Sequence, residues 1–307
     1  MELIRGLGSL GGRHHGCVVT IGTYDGIHLG HQALLERLQG HGKRLSRPTM
    51  LLTFEPMPRE YLARAEPPPR LTSLRERWRI LERTGLDYVW LLRFGPALRA
   101  LSGEEFATLL ARQLCAHLIV VGHDFRFGRN GAATVPELQQ AGAELGFAVD
   151  VVAPVAVAGE RVSSSALREA LARGDFALAQ RWLGRPYTML GRVVHGNHLG
   201  RTLGFATANL RLERLRSPLA GIFAVRVQGV AKQARPGVAS LGVRPTVAGK
   251  EMLLEAHVFD FDGDLYGREI TIEFVSKLRD EERFASLDAL VQQMHRDAAA
   301  ARQILGC

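Results

Sequence analysis

The sequence holds little cysteine and no long apolar run, and each shortage excludes a class of protein. Three cysteines occur in 307 residues, far apart and without a C-x-x-C pair, which excludes a disulfide framework and a four-thiolate zinc site. No apolar stretch reaches the ~20 residues that a membrane-spanning helix needs. Residues 1–16 lack the apolar core of a secretory signal. We therefore expect a cytoplasmic protein that has no membrane partner.

The sequence also has fewer acidic than basic residues. The 39 lysines and arginines outnumber the 31 acidic residues, and the formal net charge is +8. A positive charge suits anionic ligands such as phosphorylated small molecules. The basic residues are dispersed, without the run of about five or more that marks a nucleic-acid-binding tail. We therefore expect no nucleic-acid partner, whereas the sequence leaves a homo-oligomer open.

The chain alternates predicted strands and helices as far as residue 183, while residues 1–15 show no readable pattern. The predicted strands cover residues 17–21, 49–54, 88–94, 117–121 and 147–153. The predicted helices cover residues 29–38, 71–83, 102–114, 136–145 and, as helical turns, 164–183. Regular alternation favours an α/β fold, a parallel sheet with helices on both faces.

The pattern changes after Gly184-Arg185-Pro186. Short predicted strands then cover residues 189–194, 222–228, 237–241, 252–259 and 270–275, and a helix covers residues 287–305. Asp262-Gly263 predicts a hairpin connection between the last two strands. Many short strands followed by one helix predict a small antiparallel β-barrel. We therefore expect two domains, residues 1–185 and 186–307.

A glycine-rich turn, GTYDGIHLGH at residues 22–31, follows the first predicted strand. Ligands bind at the carboxyl ends of parallel strands, and a helix that begins there directs free N–H groups at a phosphate. His28 and His31 share one face of that helix, where two imidazoles suit nucleotide phosphates and departing pyrophosphate. The alternatives are a solvent-facing turn and a metal site, which would need more ligands. The nucleotide-binding residues predicted around the histidines are Gly22, Asp25, Gly26 and Gly30.

This turn resembles the nucleotidyltransferase signature of bacterial FAD synthetases, and three later stretches follow in that family's order. They are TFEPMPREYL at 53–62, VGHDFRFG at 121–128 and SSSALR at 163–168. The resemblance implies that Asp124 lies near the flavin phosphate and metal, although Asp124 alone is equally typical of a turn. It also implies that Ser164, Ser165 and Arg168 hold the phosphates of ATP, the arginine by bidentate contacts. The family has histidine in place of Met57 and threonine in place of Ser165.

A second glycine-rich stretch, GRVVHGNHLGRTLGFATANL, occupies residues 191–210. Its glycines allow backbone to approach a phosphate, although alone they are equally typical of a hairpin. Arg201 is a candidate phosphate contact, and Thr207 and Asn209 offer oxygen atoms that suit Mg²⁺ and the phosphates of ATP. The stretch resembles the riboflavin kinase module, whose motif G-R-x-L-G-F-P-T-A-N has proline in place of Ala206.

Glu255 is the one acid in MLLEAHVF, a largely apolar predicted strand. Charged groups are rarely buried without a partner or a purpose, and a carboxylate that accepts a proton helps a primary alcohol to attack. The resemblance to riboflavin kinase continues at 241–247, 253–267 and 278–290, and it also places the catalytic base at this glutamate. The alternative is a strand-edge glutamate that faces water. We expect His257 and Asp260 to be structural.

The combined resemblance covers about residues 16–305 and implies a bifunctional enzyme of FAD synthesis. One activity would transfer the γ-phosphate of ATP to riboflavin, giving FMN. The other would join FMN to a second ATP, giving FAD and pyrophosphate, with Mg²⁺ as the cofactor. Three alternatives stay open: another nucleotidyltransferase with an H-x-G-H site, a relative that has lost one activity, and a non-catalytic flavin- or RNA-binding regulator.

Overall fold

A computed structural model describes residues 1–196, 204–246 and 249–307, with side chains described outside 244–251. The chain forms two compact units. The first comprises Met1–Pro68 and Arg77–Ser163, and the second comprises Pro69–Glu76 and Ser164–Cys307. A compact unit need not coincide with a functional domain, so the predicted boundary near residue 185 stays a prediction. Within the described residues, no helix is long and apolar enough to cross a membrane.

The first unit is built on a six-stranded parallel sheet, which confirms the predicted fold class. Its strands are β1 (Glu2–Arg5), β2 (Val18–Ile21), β3 (Thr49–Glu55), β4 (Tyr88–Arg93), β5 (Leu118–Gly122) and β6 (Ala148–Val152), in the order β1-β4-β3-β2-β5-β6. A two-stranded antiparallel pair follows, β7 (Ala156–Val157) and β8 (Glu160–Arg161). The helices as far as residue 145 are α1 (Leu29–Leu45), α2 (Pro58–Tyr61), α3 (Leu74–Leu81), α4 (Pro96–Ala100), α5 (Gly103–Leu114) and α6 (Val135–Leu145).

Helices cover both faces of this sheet because successive strand residues point to opposite sides. On β2, Val18 belongs to one apolar core and Val19 to the other, and both are fully buried. Helix α1 packs on the first core through residues such as Leu38, whereas α5 and α6 pack on the second. Continuous apolar strands are typical of a parallel sheet that is buried on both faces.

The strand order changes direction at β2, which has β3 on one side and β5 on the other. The carboxyl ends of these three strands therefore lie side by side. The turn after β2, the TFEP segment at the end of β3 and the VGHD segment at the end of β5 meet at that edge. Such a switch point is the usual place for a ligand in an open α/β sheet.

Residues 1–15, which show no readable pattern in the sequence, contain a strand of the sheet. Strand β1 pairs in parallel with β4 at the edge of the sheet, with Ile4 opposite Trp90. Only Ile4 of its four residues is buried, so the strand has no period-2 apolar pattern for sequence analysis to detect. The segment becomes a strand because it pairs with the edge of β4 that β3 does not occupy.

The second unit contains a closed antiparallel β-barrel, as predicted. Its strands are β9 (Thr188–Val194), β10 (Ala208–Arg211), β11 (Gly221–Gln228), β12 (Arg235–Thr246), β13 (Gly249–Val258) and β14 (Glu269–Arg279), in the order β10-β13-β12-β11-β14-β9. Its helices are α7 (Ser164–Ala172), α8 (Phe176–Leu183) and α9 (Leu287–Leu305). Inside the barrel, Leu210, Leu241 and Leu254 lie opposite one another on three neighbouring strands and are fully buried.

The predicted hairpin at Asp262-Gly263 is wrong. Strand β13 pairs with β10 and β12, whereas β14 pairs with β11 and β9, so this segment joins two strands that are not neighbours. An Asp-Gly pair marks a turn, but the pairing of the flanking strands depends on closure of the whole barrel.

Helix α9 packs on the outside of the barrel. Ala301 of α9 forms a small apolar core with Ala224 of β11 and Phe259, and Val238 of β12 packs against it. The guanidinium of Arg279, at the end of β14, donates to both carboxylate oxygens of Asp297 on α9 at 2.7–3.1 Å. The helix is therefore fixed over one part of the outer face of β11 and β12.

Candidate active sites

The turn between β2 and α1 has an unusual backbone. Tyr24, Gly26 and Ile27 have φ angles of 50°, 84° and 41°, and Tyr24 and Ile27 are almost completely buried. Left-handed conformations are unfavourable for residues with a Cβ, and they cluster at functional sites. A Cβ added to Gly22 would lie 3.1 Å from the ring of Tyr24, so this position favours glycine. The turn also buries Asp25, which is 2% exposed.

The two predicted histidines meet at the start of α1. His28 is the N-cap residue, and its Nδ1 accepts a hydrogen bond from the backbone N–H of His31 at 3.4 Å. The two imidazole rings stack with centroids 3.8 Å apart. A Cβ added to Gly30 would lie 3.1 Å from the His28 ring. A glycine at residue 30 therefore avoids a close contact with that ring. The free N–H groups of the first helical turn add a positive dipole end.

Tyr24 supports the other side of the histidine stack. Its ring stacks on His31 with a centroid distance of 4.7 Å, and its hydroxyl hydrogen-bonds Thr20 at 2.7 Å. Burial raises the pKa of the Tyr24 hydroxyl, so the group stays neutral at physiological pH. The imidazoles are therefore held on a rigid neutral surface, where they provide donors for an anion.

Arg77 is a buried support of this turn that sequence analysis missed. It is 1% exposed, and its guanidinium donates to the carbonyl oxygen of Thr23 at 2.7 Å and to the carboxylate of Glu55 at 2.8 Å. It thereby ties the glycine-rich turn to the carboxyl end of β3. The run RERWRILER, which covers most of α3 and the two residues after it, contains four arginines, and no local signal distinguishes this one from its neighbours.

Asp124 and Met57 lie at the same edge of the sheet in different surroundings. Asp124 follows β5, its side chain is 62% exposed, and its carboxylate forms a 2.5 Å ion pair with Arg161 of β8. Met57 is 4% exposed and precedes α2. The structure thus leaves Asp124 accessible to a ligand, while Met57 is part of the packing.

The three predicted residues of SSSALR lie in the first turns of α7, within the second compact unit. Ser165 is exposed, while Ser164 and Arg168 are half-buried. Arg168 Nε donates to the carbonyl oxygen of Pro69 at 2.6 Å, inside the same unit. Their predicted contact with ATP phosphates stays a prediction.

A row of polar side chains crosses the outer face of the barrel and contains Glu255. Asn209 of β10 lies directly opposite Glu255 of β13, and Glu255 lies opposite Ser240 of β12. Side chains at opposed positions share a face, with Cβ atoms about 4.5–5.5 Å apart. Glu255 and Ser240 are half-buried, and Asn209 is 8% exposed. The predicted base and a predicted ATP ligand are therefore neighbours.

The loop before β10 brings the remaining described residues of this site together. The amide of Asn209 lies against Gly196, where an added Cβ would come within 2.4–2.6 Å of it. Thr207 is half-buried and precedes β10. His257 Nδ1 donates to the carbonyl oxygen of Ala206 at 2.8 Å, which fits a structural role. Arg201 lies outside the described residues.

The donor set of this site suits Mg²⁺ bound together with phosphates. Thr207 and Asn209 supply neutral oxygen atoms, which are the hard donors that Mg²⁺ prefers. No group of three or more His, Cys, Asp or Glu side chains able to hold a metal occurs among the described residues. A magnesium ion would therefore need phosphate oxygens and water to complete its shell, as in many nucleotide sites.

Comparisons with known proteins identify two families in tandem along the chain. The FAD synthetase family matches residues 11–166, and the riboflavin kinase family matches residues 183–305. The bifunctional riboflavin kinase/FMN adenylyltransferase of Escherichia coli K12 is 46% identical over 308 residues, covering 100% of this chain and 98% of the relative. The enzyme of the same name from Pseudomonas fluorescens is 46% identical over 306 residues, covering 99% of this chain and 98% of that protein.

A solved structure described as a macrolide-efflux protein from Streptococcus pneumoniae shares the fold along the whole chain. Its TM-score is 0.82 at 31% identity, and the match covers 98% of this chain and 99% of that one. Two family matches in tandem and full-length relatives at 46% identity lead to one conclusion. The chain belongs to the family of bifunctional riboflavin kinase/FMN adenylyltransferases.

Proposed function

We propose that the barrel unit phosphorylates riboflavin with Glu255 as the general base, and that the histidine pair serves the adenylyl transfer that follows. The observation that carries the first assignment is the pairing of Glu255 with Asn209 across β10 and β13. In this pairing the carboxylate of Glu255 lies beside Asn209, the predicted ATP ligand, on a half-buried surface. The stacked imidazoles at the start of α1 carry the second assignment.

In the kinase reaction, the carboxylate of Glu255 accepts the proton of the 5′-hydroxyl group of riboflavin. The oxygen attacks the γ-phosphorus of ATP, the bond from that phosphorus to the bridging oxygen breaks, and ADP leaves. Thr207 and Asn209 orient the phosphates, and bound Mg²⁺ would neutralise their charge. Arg201 is the further predicted phosphate contact. Such transfer depends mainly on positioning and charge stabilisation.

In the adenylyl transfer, a phosphate oxygen of FMN attacks the α-phosphorus of ATP. The bond between that phosphorus and the bridging oxygen to the β-phosphate breaks, and pyrophosphate leaves. The attacking group is already an anion, so no general base is needed. His28 and His31 donate hydrogen bonds to the charge that develops on the phosphates. The surrounding backbone of Gly22, Gly26 and Gly30 allows the nucleotide to approach closely.

The other predicted residues of this reaction keep supporting roles. Asp25 is the further predicted nucleotide-binding residue of the turn, and Asp124, accessible beside the same edge of the sheet, helps to place FMN or Mg²⁺. Ser164, Ser165 and Arg168 contact ATP phosphates. We place the boundary between the two activities near residue 185. Because both substrates are small soluble molecules, we propose that the enzyme acts in the cytoplasm without a nucleic-acid partner.

Incubation of full-chain variants with ATP, Mg²⁺ and either riboflavin or FMN, followed by chromatography of the flavins, tests the two assignments. His28→Ala with His31→Ala should stop FAD formation and leave FMN formation from riboflavin. Glu255→Gln should abolish FMN formation and leave FAD formation from supplied FMN. The control variants are His15→Ala, at an exposed histidine, and Glu273→Gln, at an acid of β14.

The outcome separates the alternatives. Loss of both products in both variants, with folded protein by circular dichroism, would refute the assignment of two independent sites. A wild-type chain that makes only FMN or only FAD would be a relative with one activity lost. A chain that makes neither product would be another nucleotidyltransferase or the non-catalytic regulator.

A further inference from the structure

A second carboxylate lies on the same outer face of the barrel as Glu255. Glu281 follows β14, and its carboxylate lies against the backbone of Gly242 on β12. A Cβ built on that glycine would fall 2.1 Å from Oε1 and 2.5 Å from Oε2. The carboxylate of Glu281 can lie against this strand because residue 242 has no side chain.

The register of the barrel fixes where this carboxylate lies relative to the proposed base. Gly242 pairs with Leu253, two residues before Glu255 on β13, and Ser240 pairs with Glu255 itself. Residues two apart on a strand share a face, so Gly242 and Glu255 are diagonal neighbours, about 7–8 Å apart. Glu281 thus lies on the β12 side of Glu255, whereas Asn209 lies on its β10 side.

The chemistry of Glu281 differs from that of the acids beside it. Asp280 pairs with Lys277 at 2.5 Å, and Glu282 pairs with Arg279 at 3.3 Å. Within the described part of the chain, the carboxylate of Glu281 has no hydrogen-bond or ion-pair partner. Burial raises its pKa, and the charge of Arg279 opposes this only in part. Glu281 is an exposed residue whose carboxylate is partly desolvated against Gly242, and its hydrogen-bonding capacity is left for a ligand.

The direction of phosphoryl transfer indicates which ligand this is. The attacking and leaving oxygens lie roughly in line through phosphorus. If ATP lies on the Asn209 side of Glu255, the rest of the attacking alcohol extends to the opposite side, towards Gly242 and Glu281. In riboflavin, the part nearest the 5′-hydroxyl is the ribityl chain, a neutral polyol. Its hydroxyl groups are donors that suit an ionised carboxylate.

We propose that Glu281 binds riboflavin in the kinase site by accepting hydrogen bonds from the hydroxyl groups of the ribityl chain. The inference rests on the proposed function, since it takes the position of ATP from Asn209 and that of the reacting hydroxyl from Glu255. It adds a substrate-binding residue from the segment after β14, a strand that only β11 separates from β12 in the barrel.

Steady-state kinetics of the full chain with Glu281→Gln tests this. At saturating ATP, the KM for riboflavin should rise about 10- to 100-fold, the range expected for a lost hydrogen bond to a charged group. The kcat should change by less than about threefold, because the lost contact is made equally in the ground state and the transition state. The KM for ATP should stay as in the wild type. Glu282→Gln, the same change at the next residue, should leave all three constants unaltered, since an exposed ion pair contributes little.

Two further measurements show whether the effect acts on the ribityl chain. Lumiflavin has a methyl group in place of that chain, so it should inhibit the wild type and Glu281→Gln equally. Gly242→Ala should raise the KM for riboflavin as Glu281→Gln does, because its Cβ displaces the carboxylate without changing the charge. A KM within about twofold of wild type in Glu281→Gln would overturn the inference. Equally weakened inhibition by lumiflavin would overturn it as well.

Glu255→Gln, measured in parallel, distinguishes a failure of the proposed base from a failure of the ribityl contact. If Glu255→Gln loses kcat while Glu281→Gln behaves as wild type, the proposed function stands and only the ribityl contact is wrong. If Glu255→Gln keeps its kcat, the base assignment is wrong, and the contact argued from it is overturned too.

Discussion

Replacement of Arg77 by methionine should separate the two activities through a residue that touches neither substrate. The guanidinium is 1% exposed and connects the carbonyl oxygen of Thr23 with the carboxylate of Glu55. Methionine fills a similar volume but donates no hydrogen bond. We expect the turn that contains His28 and His31 to lose its anchor, and adenylyl transfer to fall with it.

The structure bounds the size of the effect on stability. Removing one partner of a fully buried ion pair costs about 3–5 kcal/mol. The Glu55 side chain is 29% exposed and recovers some hydration, so we expect about 2–4 kcal/mol for Arg77→Met. For a unit of this size, a loss of about 2–4 kcal/mol lowers the Tm by roughly 5–15 °C.

Three measurements on the full chain test this reasoning. Thermal unfolding gives the change in Tm. FAD formation from FMN, assayed well below the new Tm, should drop at least about tenfold, because misplacement by about 1 Å can cost a hundredfold. FMN formation from riboflavin at the same temperature should persist. Arg83→Met, an exposed arginine just after α3, is the matched control and should change none of these values.

A particular pattern of results would refute the role of Arg77. If Arg77→Met loses less than about 1 kcal/mol of stability and keeps its FAD synthesis, the buried contacts do not hold the turn. If FMN and FAD formation fall in parallel at a temperature where circular dichroism shows folded protein, the effect is not confined to the histidine site.

Three other substitutions have expected outcomes. Gly30→Ala puts a Cβ at 3.1 Å from the ring of His28, and should lower kcat/KM for FAD formation about tenfold with little change in riboflavin phosphorylation. Arg214→Met leaves the buried carboxylate of Glu76, which accepts two of its hydrogen bonds at 2.5–2.6 Å, without its charged partner. It should destabilise the protein by about 3–5 kcal/mol in urea unfolding. Asp150→Asn removes an acid whose pKa is lowered chiefly by the hydrogen bond from an arginine of α1. It should destabilise the protein at neutral pH, and the difference in unfolding free energy should vanish as the pH falls through the lowered pKa, below about 3.9.

Local sequence patterns predicted much of the fold and the chemical types at both sites. Alternating helical and extended periods predicted the parallel sheet, and the short strands after residue 185 predicted the barrel. The run Gly22–His31 contains its own strand end, turn and helix start, so the contact between His28 and His31 is determined within four residues. The single acid in an otherwise apolar strand marked Glu255.

Other features depend on partners far away in the chain. Ile4 belongs to a strand only because Trp90 lies beside it, and the strands on either side of Asp262-Gly263 pair elsewhere. No local sequence pattern distinguishes Arg77 from the arginines around it. Only its buried contacts with Thr23 and Glu55 do so. Periodicity reports which face of an element is apolar, but not which element covers that face.

The sequence by itself determined the chemical groups of the two proposed sites, because imidazoles at a helix start and a carboxylate in an apolar strand are local arrangements. The tertiary structure decided which groups share a site. Strand pairing in the barrel sets Asn209, Glu255 and Ser240 in one row, and the segment after β14 brings Glu281 against Gly242. Such neighbours arise from strand register and burial, which are properties of the whole fold and not of any one segment.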